Sequence, residues 1–342
     1  MRLNVNTFPA IFIVGSSRSG TSLMARILGT HPRIYTFQHE LHFFEEIVVG
    51  KDLFKKISLD EAKKIYANLL AIVHEGYFSK PSFKFYLSEA EKYIKDINDD
   101  LTPANIYKNF LYFWAQKNNK FMPCEQTPKN IYYLEEIFDI FPQVKIINMM
   151  RDPRDVLLSQ KNRWRLRFIG YKNYPFYEVI RSFVNYNPII ISKLWRSSVM
   201  RYEQFKNDSR VINVKFEDLI LNFDAVMERI CNFLEISMDF DVTEIPVIGS
   251  SFGDSVKKTG LIKDMVFRWK KGGLSSAEIY FCQKINGILM ESYGYKLYPV
   301  SPSYYEIFLY ILTLIVKAPF MFFFNWKKCK NFKDAIVRRF VS

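Results

Sequence analysis

The segment "FIVGSSRSGTSLMARIL", residues 12–28, joins an apolar run to a helical pattern through a turn rich in glycine and serine. Gly15, Gly20 and Ser22 fit the phosphate-loop pattern G-x-x-x-x-G-K-[ST], but Thr21 stands in the lysine position. A turn of this kind presents backbone N–H groups to an anion, and the dipole of the following helix adds attraction. The segment therefore predicts a strand, an anion-binding loop and a helix, in that order.

Three further apolar runs are typical of buried parallel strands, at residues 120–124, 144–149 and 211–214, in addition to the first at 11–14. Stretches with helical periodicity separate them. This alternation predicts an α/β fold of the P-loop-like, three-layer kind, with a central parallel sheet flanked by helices. Ligands of such sheets bind beyond the carboxyl ends of the strands, where the sequence places polar residues.

The net charge of +13 indicates an anionic partner, although six lysines and arginines lie within the last eighteen residues. No nucleic-acid-binding signature is present, so no nucleic-acid partner is expected. The four cysteines are scattered and form no C-x-x-C pair, which favours a reducing compartment. The first fifteen residues lack the apolar stretch of a signal peptide, and we expect a cytoplasmic location.

The loop carries a positive charge at its centre instead of at its end. Arg18 occupies that central position, and its planar guanidinium can grip a phosphate or sulfate with two hydrogen bonds. The missing lysine and the lack of an obvious magnesium-binding aspartate disfavour hydrolysis of ATP or GTP. A serine-rich turn without a ligand is the alternative interpretation.

The stretch "VGSSRSGTSLMARILGTHPRI" resembles the 5′-phosphosulfate loop of the sulfotransferase superfamily, whose donor is 3′-phosphoadenosine 5′-phosphosulfate (PAPS). It is similar to the bacterial and tyrosylprotein-type branch, in which the loop reads P-R-S-G-T-T-L. The resemblance implies that the chain is a sulfotransferase with PAPS as co-substrate. It assigns donor contacts to Ser17, Arg18, Ser19, Gly20, Thr21 and Ser22.

A second motif, "INMMRDPRDVLLSQKNRW", follows the third apolar run. Arg151 stands at the end of that run, and Ser159 follows eight residues, or about two helical turns, later. The stretch resembles the superfamily's 3′-phosphate motif R-D-x-R-x-x-x-x-S, which implies that Arg151 and Ser159 hold that phosphate and that Arg163 is a further basic contact. By itself, an R-D-P-R string is also a common helix-entry turn. Two phosphate-binding turns would distinguish PAPS from ATP.

Later segments resemble the superfamily less specifically, and each also fits ordinary surface structure. Phe216, in "VINVKFEDLILNF", stands where a tyrosine commonly meets the adenine. In "IGSSFGDS", Ser250 or Ser251 corresponds to a serine near the sulfuryl group. The segment "VFRWKKGGLSSAEI" resembles a loop that closes over the nucleotide, with the candidates Arg268, Trp269 and Lys270.

The candidate catalytic base lies in "FQHELHFFEE", after the first predicted helix. Related proteins place a glutamate in a similar context, which implies Glu40 as the base, with Arg18 and the loop N–H groups stabilising the transferring group. The match needs a shift of one residue, so His39 and His42 remain alternates, and a solvated glutamate is the other interpretation. A zinc motif H-E-x-x-H would need histidine at position 43, where Phe43 stands, so no metal is expected.

The segment "CEQTPKN" resembles the family's E-K-T-P-x-N, whose lysine assists catalysis. Gln126 takes the place of that lysine here, so the aid is missing or passes to Lys129. The alternative function is a P-loop kinase of a small molecule, against which Thr21 and the pair of Arg151 and Ser159 both argue. The sequence leaves the acceptor open among small molecules, lipids and glycans, and it leaves the oligomeric state open.

We expect a sulfotransferase domain over residues 1–298, in which the helical region 51–118 either shapes the acceptor site or is plain scaffold. The remaining residues, 299–342, form a hydrophobic and basic tail. Its apolar run "IFLYILTLIVKAPFMFFF" approaches the length of a bilayer span but is interrupted by Lys317 and Pro319. The alternatives are membrane attachment through residues 304–330 and a buried terminal helix pair.

Overall fold

The structure is a computed structural model that describes residues 8–77, 82–97, 99–169, 175–241, 243, 245 and 260–325. Its centre is a sheet of five parallel strands in the order β2-β3-β1-β4-β5. The strands are β1 Ile11–Gly15, β2 Ile34–Thr36, β3 Met122–Gln126, β4 Lys145–Met150 and β5 Val211–Lys215. The predicted α/β fold with a central parallel sheet is therefore confirmed.

The helices surround this sheet and complete the three layers. In chain order they are α1 Thr21–Thr30, α2 Leu59–Glu75, α3 Leu87–Ile94, α4 Pro103–Lys117, α5 Leu134–Ile140, α6 Pro153–Lys161, α7 Phe176–Asn185, α8 Pro188–Glu203, α9 Phe216–Leu221, α10 Phe223–Leu234, α11 Ser276–Ser292 and α12 Tyr304–Asn325. Short helical turns lie at Phe43–Ile47, Phe83–Tyr86, Pro128–Tyr133, Arg163–Ile169, Lys263–Met265 and Arg268–Lys271.

Side chains of the central strand β1 alternate between two apolar cores. Phe12 and Val14 join the larger core on one face of the sheet, whereas Ile11 and Ile13 join the core on the other face. A strand buried on both faces must be apolar at successive positions, which explains why its sequence shows a continuous run and no polar alternation. The four predicted strands are present with ends shifted by one or two residues.

Strand β2 is the strand that the sequence did not predict. Its three residues are too short to give a periodic signal, and they pair with β3 at the edge of the sheet. Strand β1 ends at Gly15, whose φ is 131° and whose position leaves no room for a side chain. A Cβ atom there would lie 2.3 Å from the carbonyl oxygen of Met149 on β4, so glycine permits the close approach from which the anion-binding loop begins.

The helical region after residue 51 forms a large part of one apolar core. Tyr66 on α2 and Phe110 on α4 are buried in the same core as Phe12 of the sheet. Tyr107, also on α4, stacks on Phe43 with ring centroids 3.9 Å apart. These helices are therefore scaffold as well as neighbours of the segment that carries Glu40. The division of the chain at residue 298 remains a prediction.

The predicted hydrophobic tail is helical over Tyr304–Asn325, which is α12. This helix has 22 residues, and an 18-residue window within it has a mean hydropathy of 2.2, so it is long and apolar enough to cross a membrane by those two criteria alone. The remainder of the tail, including residues 326–330 of the expected membrane segment, lies outside the described residues.

Candidate functional site

The first predicted anion-binding turn connects β1 to α1. Arg18 has a left-handed backbone with φ 73°, and Gly20 begins the helix with φ 94°. A Cβ atom on Gly20 would lie 2.3 Å from Cδ2 of Phe216, so this glycine lets the phenyl ring pack directly on the turn. The first turn of α1 adds the hydroxyl groups of Thr21 and Ser22 near its positive end.

The structure joins the two predicted phosphate motifs into one polar surface. Arg18 Nε donates a hydrogen bond of 2.9 Å to Ser159 Oγ on α6. Arg151, at the end of β4, donates from Nη1 to the carbonyl oxygen of Arg18 at 3.3 Å. Arg18 therefore meets Arg151 and Ser159, which lie 133 and 141 positions later in the chain, beyond the carboxyl ends of the adjacent strands β1 and β4. The sequence predicted both turns at strand ends.

Arg151 is held in a fixed orientation. Its Nη2 donates to the carbonyl oxygen of Met265 at 2.8 Å and lies 3.6 Å from Asp155 Oδ2, while its guanidinium lies 4.3 Å from the centre of the Phe216 ring. Two buried polar atoms here, Arg151 Nε and Ser19 Oγ, have no hydrogen-bond partner among the residues that the structure describes. Buried donors of this kind call for an acceptor, so the residues present fit an anionic ligand.

The late loop contributes its three candidates in different ways. Arg268 lies half-buried beside Arg151, and its pKa is lowered by burial and by the repulsion of that second guanidinium, against the attraction of Asp155. Trp269 is buried, with its backbone N–H bonded to Asp155 and its indole N–H to Asp152. Lys270 is exposed. Of the three side chains, Arg268 is therefore the one whose charge interacts with Arg151 of the second turn.

Asp152 and Arg154 support the second turn from inside the protein. Asp152 caps α6 by accepting from the Arg154 backbone N–H at 2.9 Å, and its carboxylate forms two hydrogen bonds with the Arg154 guanidinium. That guanidinium stacks 3.9 Å from the Trp269 ring and bonds Gln283 and the carbonyl oxygen of Lys296. These contacts orient α6, on which Ser159 is carried.

Gln126, in the place of the family's lysine, is bonded to the loop. Its amide donates to Thr21 Oγ1 and accepts from Ser22 Oγ, both at 3.2 Å. Lys129 instead forms an ion pair with Glu45. The structure therefore gives the glutamine a role in fixing the loop hydroxyls and places the lysine in the acidic segment that contains Glu40.

His42 lies between two carboxylates. Its Nε2 is 3.2 Å from Glu40 Oε2, and its Nδ1 is 3.4 Å from Glu45 Oε2. The Tyr77 ring packs against the imidazole with centroids 4.2 Å apart. The histidine backbone is left-handed with φ 49°, which turns the side chain into this position. We name these three charged residues, Glu40, His42 and Glu45, the acid–imidazole cluster.

The charges of this cluster stabilise one another. Burial raises the pKa of Glu40, but the hydrogen bond and charge of His42, together with Arg163 and Lys129, bring it below its usual value. Burial likewise opposes the charge of His42, yet the two glutamates raise its pKa to about 9. At neutral pH the cluster therefore holds an imidazolium between two carboxylates. The Glu40 side chain is 39% exposed, so a ligand can reach it.

The two histidine alternates occupy different settings. His42 contacts Glu40 directly, as described above. His39 is exposed and lies against Gly76 at the end of α2, where a Cβ atom on the glycine would be 3.0 Å from the imidazole Cε1. Burial lowers the pKa of His39.

Two further predicted residues lie near these groups. The charge of Arg163 helps to lower the pKa of Glu40. Ser17 lies partly buried in the loop between β1 and α1.

Glu125 is a buried carboxyl group whose role the sequence did not define. It lies in β3, one residue before the strand ends; it accepts from the Leu41 backbone N–H at 3.3 Å and from Asn130 at 2.6 Å, and it also bonds Thr127. Burial raises its pKa to about 7 against these hydrogen bonds. Glu125 thereby ties the segment that carries Glu40 to the sheet. Its position directly after a buried strand was the signal available in the sequence.

Ser250 and Ser251 lie outside the described residues. Among the residues that are described, no group of three His, Cys, Asp or Glu side chains is arranged to hold a metal ion. The described part of the site therefore consists of cationic and hydroxyl groups around two strand-to-helix turns, with the acid–imidazole cluster nearby. A parallel sheet with two such turns at the carboxyl ends of neighbouring strands is the architecture of a P-loop-like α/β protein.

Comparison with known proteins gives the family. The sequence profile described as "Sulfotransferase family" matches residues 9–240, which is more than half of the chain. The chain therefore belongs to the sulfotransferase family of enzymes, and the resemblance inferred from its motifs is confirmed.

Individual relatives agree with this assignment. Human Sulfotransferase 4A1 is 31% identical over 100 residues, which cover 28% of this chain and 33% of the human protein, so the chain spans about a third of that relative's length. The sulfotransferase domain of the Synechococcus PCC 7002 olefin synthase superposes with a TM-score of 0.51 at 22% identity, covering 86% of this chain and 97% of the domain. The sulfotransferase domain of the curacin biosynthetic pathway gives 0.50 at 18% identity, covering 87% and 100%. These two likenesses show the fold.

Proposed function

We propose that the chain transfers a sulfuryl group from PAPS to a hydroxyl or amine group of an acceptor. The observation that carries this proposal is the contact of Arg18 with Ser159, together with the bond from Arg151 to the Arg18 carbonyl oxygen. It brings a loop typical of 5′-phosphosulfate binding beside a turn typical of 3′-phosphate binding. ATP has no 3′-phosphate, so a kinase would have no use for the second turn.

The donor would lie across the surface that these two turns form. Ser17, Ser19 and the N–H groups at the start of α1 would receive the phosphosulfate, with Arg18 between the two anions. Arg151 and Ser159 would hold the 3′-phosphate, and Arg268 would add charge from the late loop. The unpartnered Arg151 Nε and Ser19 Oγ supply donors that such a ligand would satisfy.

Glu40 would act as the general base. It would take the proton from the acceptor while the acceptor oxygen forms a bond to sulfur and the bond from sulfur to the 5′-phosphate oxygen breaks. Arg18 and the loop N–H groups would stabilise the charge that develops on the leaving phosphate. His42 holds the Glu40 carboxylate in place and keeps it ionised.

The acceptor is a small molecule, a lipid or a glycan, and the location that we propose is cytoplasmic with contact to a membrane through the tail. The exposed apolar surface of α12 and the basic residues that follow it in the sequence support this contact. No metal takes part in the proposed reaction.

The proposal is tested by two measurements on the purified full chain. Adenosine 3′,5′-bisphosphate (PAP) should raise the melting temperature, whereas ATP with magnesium should raise it less. Labelled PAPS should transfer its sulfuryl group to a component of lipid or glycan extracts. Stabilisation by ATP with magnesium alone would favour the kinase and contradict the proposal.

A further inference from the structure

Helix α12 exposes an apolar face and turns its polar side chains toward the protein. Its exposed positions recur every three to four residues, and they include Phe308, Ile315 and Phe323, which are 59%, 65% and 74% exposed. Lys317 and Asn325 lie on the opposite side, where Asn325 is buried. A helix on the surface of a water-soluble protein normally shows the reverse arrangement.

Helix α7 shows the same inversion. Phe176 and Phe183 are 60% and 61% exposed, and Ile180 is exposed between them. Its polar residues Glu178 and Ser182 are buried. Two separate helices therefore present aromatic and aliphatic side chains outward while they bury polar groups.

Polar contacts fasten these helices side by side. Lys317 Nζ donates to the carbonyl oxygens of Phe183 and Tyr186, both at 3.2 Å, at the end of α7. Asn325 exchanges hydrogen bonds with Asn185 and accepts one from Arg181 at 3.0 Å. Because these contacts hold the two helices together, we treat their exposed apolar side chains as one surface. We name it the α7–α12 platform, made of Phe176, Ile180, Phe183, Phe308, Ile315 and Phe323.

These contacts argue against a helix that leaves the domain to cross a bilayer. Asn187 bonds the carbonyl oxygen of Tyr310 at 3.1 Å, so α12 is tied to the domain from Tyr310 to Asn325, or about 22 Å of helix. A spanning arrangement would break these bonds. It would also carry the charged Lys317 side chain into the hydrocarbon, where lysine is strongly disfavoured.

We infer that the α7–α12 platform lies flat on an anionic membrane surface, with α12 parallel to the bilayer. The inference rests on the proposed membrane contact and deepens it, because it makes α7 a partner of the tail in binding lipid. Six lysines and arginines follow α12 in the sequence between residues 327 and 339, with one aspartate among them, which suits anionic headgroups. Aromatic side chains at such an interface are also typical of proteins that lie on membranes.

The platform adjoins the candidate site. A small pocket beside α6 and α7 is lined by Gln160 and Arg163 on one side and by Arg181 and Asn185 on the other. The charge of Arg163 helps to lower the pKa of Glu40, whereas Arg181 and Asn185 form hydrogen bonds with Asn325 of α12. An acceptor carried by the membrane would therefore meet the protein beside the acid–imidazole cluster.

The test measures flotation of the full chain with phosphatidylcholine vesicles that contain or lack phosphatidylglycerol. Ile315→Glu changes α12 and Phe183→Glu changes α7. Ile288→Glu and Phe85→Glu are matched controls, because these residues are 83% and 82% exposed away from the platform. We expect the wild type and both controls to float with the anionic vesicles, and both platform variants to bind about tenfold or more weakly.

Each other outcome has a defined meaning. If Ile315→Glu weakens binding and Phe183→Glu does not, the tail alone attaches the protein, so the platform is wrong while the proposed membrane contact survives. If the wild type does not float with the vesicles, the platform is not a membrane surface. The same conclusion follows if the wild type forms dimers that both platform variants disrupt. Binding of PAP should be equal in all five proteins, and this measurement keeps the donor site separate from the membrane question.

Discussion

At the scale of single residues, Glu40 combines exposure with a stabilised charge. Its side chain reaches the surface, while His42 and the more distant Arg163 and Lys129 lower its pKa. A carboxylate that is fully ionised at neutral pH can accept a proton without first losing one. The sequence singled out this glutamate as a candidate by its context, but only the structure shows that the His42 side chain contacts it.

Replacing Glu40 by glutamine removes the proposed base and keeps the size of the side chain. We expect Glu40→Gln to lower kcat about 100-fold or more, which is the usual contribution of a general base. Calorimetric titration with PAP should give an unchanged Kd, because the donor turns are separate from this residue. An active Glu40→Gln variant would show that another group accepts the proton.

The raised pKa of His42 makes stability depend on pH in a defined window. The pKa is about 9 in the folded protein against 6.5 for an ordinary histidine. Below about pH 6.5 both states are protonated and the ion pairs contribute fully. As the pH rises toward 9, the unfolded state loses its proton first, so this contribution is lost.

We therefore expect the free energy of unfolding of the wild type to fall more steeply between pH 6.5 and 9 than that of His42→Gln. Urea unfolding at a series of pH values measures both slopes. Parallel curves would mean that His42 is neutral in the folded protein. The pKa values of Glu40 and Glu45 are lowered from their usual range, so these two carboxyl groups stay ionised between pH 6.5 and 9 and add nothing to the slope of either curve.

At the scale of elements, α6 begins at a buried ion pair that the sequence alone showed as R-D-P-R. Asp152 and Arg154 have side chains 1% and 2% exposed. The chain contains a matched pair at the turn before β5, where Arg210 bonds Asp208 through the same three atoms, its backbone N, Nε and Nη2. These side chains are 32% and 24% exposed, so the second pair is far less buried, and its aspartate lacks the bond that Asp152 accepts from the Trp269 indole.

We expect Asp152→Ala to lower the free energy of unfolding by about 3–5 kcal/mol, because it leaves the Arg154 guanidinium buried without its carboxylate. Asp208→Ala should cost about 1 kcal/mol or less. Chemical denaturation of the two variants measures both values. Equal losses would show that the aspartate's hydrogen bonds to the arginine backbone N, Nε and Nη2, which both pairs share, are more important than burial.

The sequence predicted the elements that carry strong patterns. The four longer strands each contain a short apolar run, and the predicted anion-binding loop has glycines that the backbone requires. Strand β2 is too short for a pattern. Trp269 was one of three candidate nucleotide contacts, and its indole N–H bonds Asp152, a contact between residues 117 positions apart that no local pattern indicates.

At the scale of the whole molecule, the sheet explains how distant motifs come together. Strands β1 and β4 are neighbours, so the turns that follow them share one edge, and Arg18 reaches Ser159 there. Strand order follows from long-range packing that a single sequence does not encode locally, although parallel connectivity limits the choices. The inverted polarity of α7 and α12 likewise depends on which faces the fold buries.

The central claim is that two turns of the chain bind the two ends of one adenosine bisphosphate. Isothermal titration calorimetry with PAP and with AMP, which lacks the 3′-phosphate, tests it most directly. Arg151→Ala serves as the variant and Arg196→Ala as the control, since Arg196 also bonds a backbone carbonyl oxygen, that of Ile285 on α11, and is not one of the candidate donor contacts. The account predicts that the wild type and Arg196→Ala bind PAP at least about tenfold more tightly than AMP, and that Arg151→Ala loses this difference. Equal affinity of the wild type for PAP and AMP would contradict it.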